Sequence, residues 1–190
     1  MTERVWTIPN IITYARIGTV PVVAALIMLG GETVLRAALV LFILGALTDY
    51  LDGYLARRLN QMSEIGRMLD PIADKVMVTV MLLALAANGT LAGWLLLPAA
   101  VIVFREGFVS GLREFMAAKS ITLHVTPIAK WKTATQLVAI GLLLAALAFP
   151  LVAGFAIAGQ AMLWISAALT LYTGAEYFLK AFRSLGSVVD

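Results

Sequence analysis

The 190-residue sequence has no cysteine and only one histidine, and charged residues make up just 13% of it. The lack of cysteine excludes disulfide bonds, thiolate zinc sites and cysteine nucleophiles. No segment shows the polar–apolar alternation that is typical of a half-buried strand. The low charge content argues against a disordered chain and a coiled coil, because both are normally rich in charged residues.

Hydrophobic residues instead make up 62% of the chain, and the mean hydropathy is +0.95. One soluble core of this size could not bury so much apolar surface, so the composition indicates a polytopic membrane protein. Helices are the expected spanning form, since strands are not evident. We predict an all-α protein that forms a single membrane domain over residues 1–190, with 1–8 as a short interfacial lead-in. The six expected transmembrane helices are 9–29, 33–58, 65–88, 92–118, 129–149 and 153–183.

The basic residues are distributed unevenly along these helices. With a cytoplasmic N-terminus, six crossings also place the C-terminus in the cytoplasm. All of the 14 lysines and arginines except Arg36 then lie in the cytoplasmic half or its loops. This is the bias expected of a membrane protein, so the pI near 9.4 does not indicate nucleic-acid binding.

Five of the predicted helices change from apolar to charged residues at a common depth. Charged residues at this depth stand about 20 Å from the outer end of each helix, at roughly 1.5 Å per residue. They are Arg16, Asp49, Asp74, Arg105 and Lys132. A carboxylate is too short to reach the interface from there, and each would cost about 2.5–3.5 kcal/mol in the membrane. The pattern therefore predicts a polar cavity in the cytoplasmic half.

Four aspartates stand at helical spacing on the second and third predicted helices: Asp49, Asp52, Asp70 and Asp74. The first two are three residues apart and the last two are four apart, so each pair shares one helix face. Carboxylate oxygens without histidine or cysteine select Mg²⁺ or Mn²⁺. Four such groups could hold two divalent cations as a clamp on a phosphate.

Small residues share these faces, namely Gly53, Ala56 and Gly66. Their missing side chains either leave room for a bulky ligand or let the helices pack closely, and both explanations stay open. Arg57 carries a guanidinium that is suited to binding a phosphate.

The full pattern, D-x2-D-G-x2-A-R-x8-G-x3-D-x3-D, resembles the signature of the CDP-alcohol phosphotransferases, and every fixed position is filled. The resemblance implies transfer of a substituted phosphate from a CDP-linked donor to an alcohol, with release of CMP. It implies two divalent cations, a homodimer, and a general-base role for Asp74. The implied metal ligands are Asp49, Asp52, Asp70 and Asp74, and the implied CDP-binding residues are Asp52, Gly53, Ala56, Arg57 and Gly66.

Three cations near these acids indicate a second anion, which would be the phosphate of a phosphorylated acceptor: Arg105, Arg113 and Lys130. Alternatively, the two arginines pair with Glu106, Glu114 or the aspartates. Further candidates for the acceptor site are Asn10, Thr13, Arg16, His124 and Lys132. Pro71 predicts a bend in the third helix or a late start, and the sixth helix is interpreted as scaffold or dimer surface.

Residues 8–16, 105–117 and 130–136 resemble the bacterial phosphatidylglycerophosphate synthase branch of that family. That branch uses CDP-diacylglycerol and sn-glycerol 3-phosphate, so a cytoplasm-facing site in a bacterial inner membrane is implied. Two alternatives within the family are a cardiolipin synthase and a phosphatidylinositol phosphate synthase. A divalent-cation transporter is the alternative from another class, but the acids lie on one side only, with no polar path beyond them.

Overall fold

The computed structural model describes residues 6–58, 63–119, 121 and 127–189. Within those ranges the side chains of 49–57, 127–130 and 186–189 are outside the described part. The described residues contain helices and no strand, which confirms the predicted all-α class.

Six α-helices follow one another in the described part of the chain, as predicted. They are α1 (Ile8–Leu29), α2 (Glu32–Arg58), α3 (Glu64–Ala87), α4 (Leu96–Ala118), α5 (Pro127–Ala148) and α6 (Ala153–Val189), with a short 3₁₀ turn at Gly93–Leu95 before α4. The bounds agree with the apolar runs to within two residues, with two exceptions. Helix α4 starts at Leu96 instead of 92, after the 3₁₀ turn, and α6 continues to Val189 instead of ending at 183.

Four segments of the described chain are long and apolar enough to cross a membrane: Ile8–Leu29, Gly93–Ala118, Trp131–Ala148 and Ala153–Leu185. The remaining helices, α2 and α3, are 27 and 24 residues long and carry the aspartate motif. At about 1.5 Å per residue, each exceeds the roughly 30 Å thickness of the hydrocarbon layer. All six helices are therefore long enough to span the membrane. Helices α2 and α3 differ from the other four in carrying the charged residues of the motif, which lower their hydropathy.

Hydroxyl side chains cap the starts of α1 and α3. The Thr7 hydroxyl accepts a hydrogen bond from the Asn10 N–H at 3.3 Å, and the Ser63 hydroxyl accepts one from the Gly66 N–H at 2.9 Å. The cap at Ser63 starts α3 at Glu64, so the predicted late start at Pro71 is wrong. Pro71 lies inside α3, where it removes one backbone donor, and the predicted bend stays a prediction.

Buried residues divide into an apolar part and a polar part along the bundle. In α1 the buried residues up to Arg16 are mostly polar, and those from Val20 to Ile27 are apolar. In α4 the apolar Ile102 is followed by buried Arg105 and Glu106. We call the polar part the charged end, where α1, α3 and α5 begin. Many large apolar side chains are exposed along the helices, as in a lipid-facing surface, including Trp94 and Trp131.

Candidate active site

Polar side chains along α1 contact residues at the start of α3 and in its aspartate motif, in the same order along both helices. The Ser63 hydroxyl donates to Asn10 Oδ1 at 2.9 Å, and the Thr13 hydroxyl donates to Asp70 Oδ1 at 3.2 Å. One turn further, Arg16 donates to Asp74 Oδ1 at 3.2 Å. These contacts advance along both helices in the same direction, so α1 and α3 lie parallel. The register brings three further predicted candidates of α1 to the motif.

Gly66 of α3 lies close to the Asn10 side chain of α1. A Cβ atom at this position would stand 2.8 Å from Asn10 Oδ1 and 3.2 Å from Ser63 Oγ. These separations are shorter than ordinary van der Waals contact, so a larger residue would displace Asn10. The contact supports close packing as one reason for glycine here, and the role of Gly66 in binding CDP stays a prediction.

The ion pair between Arg16 and Asp74 joins a buried cation to a partly open carboxylate. The Arg16 side chain is 1% exposed, whereas that of Asp74 is 35% exposed. A cation buried among apolar helices requires a nearby negative charge. Arg16 therefore orients one oxygen of Asp74, while the carboxylate keeps a side open to a ligand.

A second polar cluster joins α4, α5 and α6, and Glu106 lies at its centre. Glu106 Oε1 accepts hydrogen bonds from the Lys132 ammonium, from Gln136 Nε2 at 3.4 Å and from Arg105 at 3.5 Å. All four of these residues are buried. The alternative in which Arg105 pairs with Glu106 is therefore realised. The prediction that Arg105 binds an acceptor phosphate stays a prediction.

Helix α6 completes this cluster with two hydroxyls and an aromatic ring. Arg105 donates to Thr173 Oγ1 at 2.9 Å, and Gln136 donates to Thr170 Oγ1 at 3.0 Å. The Arg105 guanidinium also lies 5.9 Å from the centre of the Tyr177 ring, within cation–π range. Helix α6 therefore holds Arg105 of α4 and Gln136 of α5 through side-chain contacts, and its role as scaffold or dimer surface stays a prediction.

Lys75 lies on α3 between the two clusters in charge range. It follows Asp74, is half-buried, and is near enough to Glu106 and Arg105 of α4 for their charges to act on it. The sequence analysis did not single it out. Its position next to a motif aspartate was the available signal, but a lysine there is equally consistent with an interfacial side chain.

The other predicted residues have varied placements. Arg113 is exposed on α4. Helix α2 is continuous through Asp49, Asp52, Gly53, Ala56 and Arg57, but their side chains lie outside the described residues, as does that of Lys130 on α5. His124 lies wholly outside them. Sequence reasoning also missed Ser63, Gln136, Thr170 and Thr173, for which isolated polar residues at helical spacing were the only signal.

The described carboxylates suit a divalent cation. Asp70 and Asp74 lie one turn apart on α3 and are both half-buried, and their hard oxygens match Mg²⁺. Among residues whose side chains are described, no group of three or more acidic, histidine or cysteine residues is present. Asp49 and Asp52 would enlarge the donor set, but they fall outside that part of the chain.

Comparison with known proteins agrees with the site. The family model described as CDP-alcohol phosphatidyltransferase matches residues 6–172. The chain is 41% identical to a relative from Cereibacter sphaeroides, covering 95% of this chain and 97% of the relative. It is 42% identical to one from Pseudomonas fluorescens, covering 94% and 91%, and 36% identical to one from Rickettsia typhi, covering 90% and 94%. Each relative is named CDP-diacylglycerol–glycerol-3-phosphate 3-phosphatidyltransferase. The chain therefore belongs to the CDP-alcohol phosphatidyltransferase family.

Proposed function

We propose that this protein transfers the phosphatidyl group from CDP-diacylglycerol to sn-glycerol 3-phosphate, giving phosphatidylglycerophosphate and CMP. The observation that carries the proposal is that α3, which bears Asp70 and Asp74, packs against α4 and α5, which bear the buried cations Arg105 and Lys132. A carboxylate able to accept a proton and cations able to hold a phosphate thus lie on neighbouring helices. The names and coverage of the relatives support the same reaction.

The donor would bind along the motif. In this proposal Asp52, Gly53, Ala56, Arg57 and Gly66 contact the CDP portion. Two divalent cations, Mg²⁺ or Mn²⁺, would be held by Asp49, Asp52, Asp70 and Asp74. When bound, they neutralise the diphosphate and stabilise the departing CMP. Thr13 would orient Asp70 through its hydrogen bond to Oδ1.

Asp74 would act as the general base. Its carboxylate takes the proton from the acceptor hydroxyl as that oxygen attacks the phosphorus carrying the lipid. The bond between this phosphorus and the bridging oxygen breaks, and that oxygen leaves with CMP. Arg16 fixes Oδ1 of Asp74 and so sets the direction of the carboxylate. Precise placement of the base matters because proton transfer requires hydrogen-bond distance.

The phosphate of the acceptor would bind basic residues of α4 and α5. We assign this role to Arg105, Arg113 and Lys130, with Lys75, which follows Asp74 on α3, as an additional cation. An uncharged acceptor would gain nothing from so many cations. The charge pattern therefore favours a phosphorylated alcohol such as glycerol 3-phosphate.

Purified protein incubated with Mg²⁺, labelled CDP-diacylglycerol and glycerol 3-phosphate is expected to release CMP. Asp74→Asn should abolish release in protein that remains folded. Glu32→Gln is a matched control, because Glu32 is an exposed acid at the opposite end of the bundle. Competition with phosphatidylglycerol and inositol phosphate tests the two alternatives within the family. The absence of CMP release with glycerol 3-phosphate, alongside release with another acceptor, would contradict the proposed substrate.

We further propose that the protein lies in the bacterial inner membrane with its site facing the cytoplasm, and that it is a homodimer. The excess of basic residues at the charged end supports this orientation, and the family resemblance supports the dimer. Light scattering of the protein in detergent tests the dimer, and a monomeric mass would contradict it.

A further inference from the structure

Among the described residues, the buried side chains that meet at Glu106 carry more positive than negative charge. The side chains of Glu106 and Lys132 are 8% and 6% exposed, and that of Arg105 is 8% exposed. One carboxylate therefore faces two buried cations. Burying an unbalanced charge among apolar helices is costly, so a cluster that served only packing would be expected to balance its charges.

The donors of the cluster are held from several helices at once. Lys132, Gln136 and Arg105 all bond to the same oxygen of Glu106. Thr173 holds a second nitrogen of Arg105, and Thr170 holds Gln136. Arg105 Nε is buried and makes no hydrogen bond with the described residues. Since both cations converge on Glu106, its carboxylate determines where they lie.

We propose that Glu106 is a positioning residue for the acceptor phosphate. It acts through Lys132 and Arg105, whose charged groups it holds in a fixed arrangement on α4 and α5, the helices that pack against α3 of the motif. This inference rests on the proposed function, because it requires a phosphorylated acceptor. Gln136, Thr170 and Thr173 support the arrangement from α5 and α6. The excess positive charge is then balanced when the acceptor phosphate binds.

The chain offers a matched control for this role. The pair Arg105–Glu106 on α4 is repeated eight residues later as Arg113–Glu114, but Glu114 is exposed. In Glu106→Gln, KM for glycerol 3-phosphate should rise at least about tenfold, as expected when a charge-assisted hydrogen bond is lost. KM for CDP-diacylglycerol should stay within about twofold of wild type. Glu114→Gln should change neither value, and Glu106→Asp should recover part of the loss.

A double variant separates positioning from simple charge neutralisation. If Glu106 only prevents an unpaired buried lysine, Glu106→Gln combined with Lys132→Met should restore both the unfolding temperature and KM for glycerol 3-phosphate. Our inference expects the unfolding temperature to recover while KM for glycerol 3-phosphate stays raised, because the cation is gone. The comparison of the double variant with wild type remains informative even if Glu106→Gln alone unfolds the protein, because it does not use the single variant.

The inference is overturned if Glu106→Gln lowers KM for glycerol 3-phosphate, or raises the KM of both substrates equally. It is also overturned if Glu114→Gln has the same effect, or if the double variant restores both quantities. Failure of the proposed function looks different, since wild-type protein would then release no CMP with glycerol 3-phosphate. In that event the positioning role is refuted together with its substrate.

Discussion

Arg16 of α1 donates a hydrogen bond to Asp74 of α3 at 3.2 Å, and the two residues are 58 positions apart in the chain. Arg16 is buried and Asp74 is partly exposed, so the arginine fixes the carboxylate from its buried side. This pair connects the first helix, which lies outside the motif, to the residue proposed as the general base.

Replacing Arg16 is expected to impair catalysis more than substrate binding. In Arg16→Gln, kcat should fall roughly 10- to 100-fold, because Asp74 loses a charge-assisted hydrogen bond worth about 1.5–3 kcal/mol. KM for CDP-diacylglycerol should change little. Steady-state CMP release checks this, with Arg36→Gln as the control, since Arg36 pairs with Glu32 at the other end of the bundle. Unchanged kcat in folded Arg16→Gln would contradict the positioning of Asp74 by this residue.

Gly66 should be sensitive to the addition of a single methyl group. A Cβ atom there would meet Asn10 Oδ1 at 2.8 Å, so Gly66→Ala is expected to destabilise the protein by about 1–2 kcal/mol through overpacking. Adding Asn10→Ala should remove the clash, so the two changes together should destabilise less than their sum. Thermal unfolding in detergent measures both effects.

Gly107 provides the comparison for that experiment, because a Cβ atom there would meet nothing within 4 Å. Gly107→Ala should therefore unfold at or slightly above the wild-type temperature, since alanine is the better helix former. Equal destabilisation of the variants at positions 66 and 107 would show that the contact with Asn10 is not the cause.

Lys75 is expected to affect binding of the acceptor. In Lys75→Met, KM for glycerol 3-phosphate should rise about tenfold, because one cation next to Asp74 is lost. Lys75→Arg should keep more of the affinity, since the charge is retained. Lys180→Met is the control, because Lys180 is an exposed lysine that pairs with Glu176. A rise confined to KM for CDP-diacylglycerol would instead assign Lys75 to the donor.

The absence of cysteine makes the orientation directly testable. Single cysteines can be introduced at Leu151, which is 99% exposed between α5 and α6, and at Lys119, which is exposed where α4 ends. In cells whose inner membrane is intact, an impermeant maleimide should label Leu151→Cys from outside that membrane. It should label Lys119→Cys only after the membrane is opened. The reverse pattern would overturn the proposed orientation.

Much of the helical framework followed from the sequence. Apolar runs located all six helices, since a membrane-spanning helix needs about 20 consecutive apolar residues. Of the two effects expected at Pro71, the late start is wrong, because the cap at Ser63 starts α3 seven residues earlier, and the bend stays a prediction. A capping hydroxyl satisfies a backbone donor at the helix start, whereas a single proline inside a long helix removes only one hydrogen bond.

The two Arg–Glu pairs of α4 differ in burial, and the sequence alone could not predict this difference. Both are Arg–Glu dipeptides, yet Arg105–Glu106 is buried and Arg113 and Glu114 are exposed. The difference comes from Lys132 and Gln136 of α5 and from Thr170 and Thr173 of α6. No local pattern reveals such partners, because Thr173 lies 68 positions from Arg105.

By itself the sequence determined that this is a helical membrane protein with four aspartates at the spacing of the CDP-alcohol phosphotransferases. Those features depend on intervals of three and four residues within a helix, which the sequence states directly. Only the tertiary structure decided that α1 orients Asp70 and Asp74, and that Glu106 gathers the cations of α4 and α5. These pairings depend on which helices pack together and in what register, and packing brings together residues that are far apart in the chain.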